Sequence, residues 1–383
     1  MKRKSICILL CVLLTASLFG CSATDVSVSF STVKPWENAG YEKCTYSVER
    51  IYTGDGGSTV VATGKYTLEI RTTDTTHVEN KFTLDYNDND RADTIDVTGR
   101  TVRNKGMHDE YTGEVTFQRD SMVPIEAKKA FTLQQRPLND GELFAYEESP
   151  AEGIAYRYQM NGADFCGDPQ GYSYTVNYST NEASFTTYLG STVQENGTYY
   201  RNYTEKTKSF TVGSGTRYDN EQLPYIVRAL SGMQAKGSAT FYLTNMTDSY
   251  VQNGYVRHTM GLSCADKTTA YTLKLPEGYF LRNKEVALTP NELGAYSVPC
   301  VSATISLSDA KSGPPINMLI TDPSIAFVRH DNYEKNPDGT DKELAATNRV
   351  IVQMTYTEYS LTAARIAYKT VYTLTDYVSG ASA

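Results

Sequence analysis

Apolar and aromatic residues recur at every second position over long stretches of this chain. The pattern is plain at Tyr172, Tyr174, Val176 and Tyr178, with Ser173, Thr175, Asn177 and Ser179 between them. It returns at Tyr66-Leu68-Ile70, Phe82-Leu84-Tyr86, Tyr271-Leu273-Leu275, Val301-Ala303-Ile305-Leu307, Val350-Val352-Met354-Tyr356 and Ile366-Tyr368-Tyr372-Leu374. A period of two is the geometry of extended backbone, where successive side chains point to opposite faces. Alternation, rather than a solid apolar run, means one face buried and one face wet, as in antiparallel sheets. The chain is therefore expected to be mainly β, as one large antiparallel sheet or, alternatively, as two β-sandwich domains. The 30 tyrosines suit a pleated, half-buried surface.

Turn residues punctuate the alternating runs. Gly54-Asp55-Gly56-Gly57, Asn87-Asp88-Asn89-Asp90, Glu195-Asn196-Gly197 and Pro337-Asp338-Gly339 supply residues that tolerate positive φ. Short runs joined in this way read as a meander of hairpins. One segment departs from the pattern. Between Asp219 and Gly232, Leu223, Ile226, Val227 and Leu230 fall at helical spacing on one face. Asp219 or Asn220 can cap the start, Pro224 sits early where a missing N–H costs little, and Gly232 can close the end. A helix over about 219–232 inside a β body is expected. A second short helix over 123–131 is left open. The stretches 22–40, 135–153 and 331–347 are polar or rich in Pro, Gly, Asp and Asn, and are expected to be the least ordered.

The first 20 residues are of another kind. Lys2, Arg3 and Lys4 precede an apolar run from Ile6 to Leu14 that continues through Ala16, Leu18 and Phe19. Positive charge, apolar run and small residue make the pattern of an export signal, and the run is too short for a bilayer span of about 20 residues. Leu18-Phe19-Gly20-Cys21 resembles the bacterial lipobox. That resemblance implies cleavage before Cys21 and a diacylglyceryl group on its sulfur. Two acyl chains hold a protein stably at a membrane. The expected organisation is a signal over 1–20, a tether over 21–40 and a β body over 41–383, with possible halves at 41–150 and 151–383. The expected place is the bacterial cell envelope, on the extracytoplasmic side of a membrane.

Charge and cysteines narrow the partners. The formal net charge is −8, and loss of residues 1–20 would remove three positive charges and no acidic ones. An acidic body does not suit nucleic acid or anionic headgroups. With Cys7 and Cys11 in the signal and Cys21 acylated, Cys44, Cys166, Cys264 and Cys300 remain, allowing two disulfides in three pairings. Cys264 and Cys300 lie at ends of strand-like segments and form the favoured candidate pair, with buried free thiols close behind.

From about 171 to 375, Tyr218-Asp219-Asn220, Leu223 and Arg228-Ala229-Leu230 lie between blocks of strands, followed by Val298-Pro299-Cys300-Val301 and Ser312-Gly313-Pro314-Pro315. This layout resembles envelope proteins of LolA type. The resemblance implies a half-barrel with a helix over its concave face and, in several members, a lipid ligand. It carries over no functional residue.

Catalytic patterns are missing. The sequence holds no G-x-S-x-G, no P-loop, no H-E-x-x-H and no C-x-x-C. The acidic turns at Asp85 to Asp93 and Asp331 to Asp341 lack the ligand order of a calcium loop and read as solvated turns. No enzyme activity, cofactor or metal is expected. The expected role is a binding or scaffold protein with a hydrophobic or lipid ligand, faced by Leu223, Ile226, Val227 and Leu230. The alternative is a surface adhesin or glycan-binding protein using exposed tyrosines.

Overall fold

The computed structural model describes residues 29–54, 57–86, 94–95, 101–102, 108–137, 154–156, 158–160, 163–166, 170–195, 198–211, 218–230, 237–243, 256–307, 315–359 and 366–380. Fourteen strands share one antiparallel ladder. The first meander comprises β1 (Tyr41–Gly54), β2 (Gly57–Thr72), β3 (Thr75–Tyr86), β4 (His108–Gln118), β5 (Pro124–Pro137), β6 (Gln170–Asn177), β7 (Glu182–Glu195) and β8 (Thr198–Thr211), each paired with the strand before it. The second comprises β9 (Gly237–Leu243), β10 (Val256–Lys274), β11 (Ala295–Leu307), β12 (Ile316–Thr321), β13 (Ile351–Tyr359) and β14 (Ile366–Gly380). β1 pairs antiparallel with β14 and joins the two meanders edge to edge. Among the described residues β8 does not pair with β9, so the sheet does not close.

Burial follows the period of two. In β3, Thr76, Val78, Asn80, Leu84 and Tyr86 are buried and the odd-numbered residues face out. The inner face is strongly curved. Tyr372 on β14 and Phe82 on β3 lie three strand steps apart, about 14 Å on a flat sheet, yet their ring centroids are 6.1 Å apart. The architecture is thus the single curved sheet, not the pair of sandwiches. The segment 123–131, left open as a helix, is strand: Pro124 opens β5, and Ala127 and Lys129 alternate inward. Residues 331–347 are largely strand as well. They belong to a four-stranded flap of Tyr279–Asn283, Val286–Ala287, Ile325–Lys335 and Asp341–Asn348. The flap packs on the end of β14, where Tyr377 meets Tyr279 and Phe327 at centroid distances of 5.2 and 4.8 Å.

The helix is shorter than its sequence spacing suggests. Asp219 caps a 3-10 turn, Asn220–Gln222: its Oδ1 accepts from the Glu221 N–H at 2.9 Å, while Gln222 Oε1 accepts from the Asp219 N–H at 2.9 Å. This reciprocal arrangement satisfies two donors that a helix start leaves bare. The α-helix proper, α1, is Leu223–Ala229. Leu230 is extended and bridges to Phe30. The expected continuation to Gly232, itself outside the described residues, fails because other groups take the last carbonyls. The Ser31 N–H donates to Ala229 O at 2.8 Å, and Arg349 Nη1 donates to the carbonyls of Arg228, at 3.1 Å, and Leu230.

Those contacts place residues 29–40 in the body. The expected tether is fixed from Ser29 onward as a strap over α1. Trp36 is 1 % exposed, meets Tyr225 edge-on at 5.6 Å and lies 5.4 Å from the Arg228 guanidinium. Buried Lys34 donates from Nζ to Asp120 O at 3.2 Å. Trp36→Ala should therefore destabilise the fold by about 3–5 kcal/mol, the usual cost of emptying a large aromatic site, measured as a fall in the urea midpoint.

Candidate functional site

The segment 219–230 crosses the concave face, and its polar side chains meet one strand after another. Asp219 accepts from the hydroxyl of Tyr178, just after β6, at 2.5 Å and pairs with Lys129 of β5 at 2.8 Å. Glu221 accepts from the hydroxyl of Tyr111 on β4 and from Asn80 Nδ2 on β3 at 2.8 Å. The Tyr225 hydroxyl donates to Glu69 O on β2 at 3.3 Å. Arg228 forks onto Glu42 of β1, with Nη2 to Oε2 at 2.9 Å. Six neighbouring strand positions thus hold one short segment in register.

Two buried clusters result. At the first, the Glu42 carboxylate accepts from Arg228, from Tyr377 OH at 3.3 Å and from Cys44 Sγ at 3.7 Å. Burial alone would lower the Arg228 guanidinium, but the Glu42 carboxylate outweighs it and holds the charge. Burial, with Glu42 adding to it, pushes the Cys44 thiol well up, so this sulfur stays protonated. At the second, Glu221 lies among Lys129, Asp219, Asn220, Tyr111 and Asn80. Its carboxyl is raised, chiefly by burial, despite the pull of Lys129. Gly113 leaves it room: a Cβ there would sit 2.5 Å from Glu221 Oε2.

Beyond Glu221 the inner face carries an aromatic band. Tyr111, Phe82, Tyr66 and Tyr46 occupy one register row across β4, β3, β2 and β1. Tyr372 reaches over them, 5.2 Å from Tyr66, and Tyr356 stands 5.3 Å from Tyr372. Tyr66, Phe82, Tyr111, Tyr356 and Tyr372 are only half-buried. They lie between the main core and a smaller buried cluster of Val48, Ala62, Leu84 and Tyr86. The interior is therefore a packed layer under α1, a partly buried aromatic seam beside Glu221, and a second packed layer.

Several expectations change here. Leu223, Ile226, Val227 and Leu230 are 5, 0, 1 and 2 % exposed and belong to the main core. They fill the concave face instead of facing a ligand, because a helix pinned this tightly to six strands leaves no gap beneath it. Cys264 and Cys300 are free. Cys264 lies opposite Ala303 and Cys300 opposite Thr269, with an irregularity between Cys264 and Thr268. Three residues of offset is roughly 10 Å along a strand, beyond the reach of about 7 Å between bridged Cα atoms. The Cys300 thiol is pushed up to about 12 by burial and by Asp322. Cys21 and the Cys166 side chain lie outside the described residues. The residues that matter most, Glu42, Asn80, Tyr111, Lys129 and Arg228, carry no motif. Their sequence signal is a polar residue at an inward position of an alternating strand, such as Asn80 between Val78 and Phe82.

No family model and no curated protein matches this chain. Among solved structures, the crystal structure of a beta-barrel-like protein of domain of unknown function DUF1849 from Brucella abortus is similar over 93% of this chain and 99% of that chain, with 7% sequence identity and a TM-score of 0.40.

Glu42→Ala should cost about 3–5 kcal/mol by stranding the buried Arg228 charge, seen as a lower denaturant midpoint. Glu221 gives a pH signature. Its raised carboxyl means that the folded chain binds this proton more tightly than the unfolded chain does. Its stabilising contribution is complete below the ordinary carboxylate range and is lost as pH rises through the raised folded value. Glu221→Gln does not titrate, so its melting temperature relative to wild type should climb as pH rises above the ordinary carboxylate range.

Proposed function

We propose that this chain is an extracytoplasmic lipoprotein, acylated at Cys21, that binds a hydrophobic or lipid ligand on the aromatic seam of its curved sheet and does no chemistry on it. The observation that carries the reading is the half-buried row of Tyr66, Phe82, Tyr111, Tyr356 and Tyr372 on an otherwise packed inner face. Aromatic residues left accessible inside a fold give up burial that a closed core would gain, about 25 cal/mol per Å². The buried Glu221, bonded to Tyr111 and Asn80, bounds the seam at one end. The seam replaces the helix face as the ligand seat. The anchor is supported by the charge, length and cysteine position of residues 1–21.

Two measurements test the two halves of this proposal. Cys21→Ala should abolish acyl labelling and release the protein from membranes; persistent labelling would refute the anchor. For the seat, gently purified protein should carry an apolar small molecule in native mass spectrometry and bind a hydrophobic dye. Tyr356→Ala and Tyr372→Ala should weaken dye binding about tenfold, equal to ~1.4 kcal/mol, while Tyr52→Ala leaves it unchanged. Protein that holds no apolar molecule and binds no dye would overturn the seat.

A second reading, glycan binding, has one observation in its favour. Tyr52 is 40 % exposed, lies 5.3 Å from Tyr368, and Arg50 sits 4.7 Å above the Tyr368 ring. This small aromatic platform at the far end of β1 suits a sugar face. A glycan array should then show hits that Tyr52→Ala removes, and an array without hits counts against it.

A further inference from the structure

We infer that the pole of the sheet that carries α1, the strap and the flap lies against the lipid membrane. This rests on the proposed acyl group at Cys21.

The length of the leash decides the orientation. Eight residue steps separate Cys21 from Ser29, where the strap begins, and at ~3.6 Å each they span at most about 29 Å. The strap is not slack beyond that point, since Phe30 bridges to Leu230 and Ser31 donates to Ala229 O at 2.8 Å. β1 starts at this pole with Tyr41 and runs fourteen residues to Gly54, roughly 46 Å at 3.3 Å per residue. A leash of 29 Å cannot let the far pole face the bilayer, because the strap would then stand at least a strand length above it.

The near pole is built for contact with an apolar phase. Leu293 is 80 % exposed, Val286 68 % and Val33 60 %. Val33 is on the strap, Val286 is in the flap, and Leu293 lies in the turn before β11. That turn is pinned: Asn291 Oδ1 accepts from the N–H groups of Leu293 at 3.0 Å and Ala295 at 2.9 Å, Gly294 N–H donates to Asn291 O at 2.9 Å, and Gly294 takes φ +73°. A leucine held at the tip of an ordered turn gains nothing from water. Charges next to these apolar residues in the chain are of both signs, Lys284 and Glu285 before Val286 and Glu292 before Leu293, so the contact is apolar and not an attraction to anionic headgroups. Such a contact is too small to recruit the protein by itself. Tethering supplies the effective concentration that makes it form.

The test uses the full acylated chain on vesicles of phosphatidylethanolamine and phosphatidylglycerol containing an acyl-chain quencher. A fluorescent amino acid is placed at Leu293 or, as the far-pole control, at Tyr52. Acylation of Cys21 is read by mass spectrometry on the same sample. The expected result is several-fold stronger quenching at 293 than at 52, unchanged by added salt. Equal quenching at both positions, or stronger quenching at 52, with Cys21 acylated overturns the orientation and leaves the anchor standing. A Cys21 without acyl chains overturns the anchor and the orientation with it.

Discussion

A sheet that curls without closing has a concave face that must be filled, and the segment 219–230 fills it. Seven helical residues are too few to form a stable helix alone. What holds them is the set of partners that the sheet presents in order: Tyr178, Lys129, Tyr111, Asn80, Glu69 O and Glu42. The helix in turn holds the curvature, because its two ends are tied to strands far apart along the ladder. The Arg228–Glu42 pair is central to this. Both side chains are nearly fully buried, and the Glu42 carboxylate holds the charge on the Arg228 guanidinium. Buried pairs of this kind add little net stability but make one arrangement much better than its neighbours.

The same geometry separates structural from functional surface. Around α1 the described apolar residues form one buried core. Past Glu221 the rows become aromatic and only half-buried before the small cluster around Val48 and Leu84 closes again. The boundary is chemically marked, since the raised Glu221 carboxyl and the Tyr111 hydroxyl sit on it. Gly113 keeps it from being filled by a side chain.

Much of the fold was legible in the sequence, because strand periodicity is a local property. Val78, Leu84 and Tyr86 are inward where the alternation puts them, and Asp219 is the cap that its residue type suggests. What was not legible depends on partners distant along the chain. The end of α1 at Ala229 is set by Ser31 and Arg349, and the polar clusters join Tyr111 to Glu221 and Glu42 to Arg228, 110 and 186 positions apart. The helical spacing of Leu223, Ile226, Val227 and Leu230 identifies an apolar face but does not say whether that face meets a ligand or a core. Strand-end positions likewise do not reveal that Cys264 and Cys300 are out of register.

The junction of β1 with β14 has a consequence for how the chain is made. Tyr377 and Glu42 touch across 335 residues of sequence, and the ladder they belong to lies in the middle of the sheet, not at its rim. A chain emerging from its N-terminus can zip β1 to β8 early, but β1 must wait with one bare edge until the last strand arrives. Non-local pairing of this kind is slow and leaves sticky edges exposed while it is pending. A chain that stopped before Ile366 would keep the first meander and the second as far as β13 but lose the strand that joins them, leaving two open half-sheets prone to pair with copies of themselves.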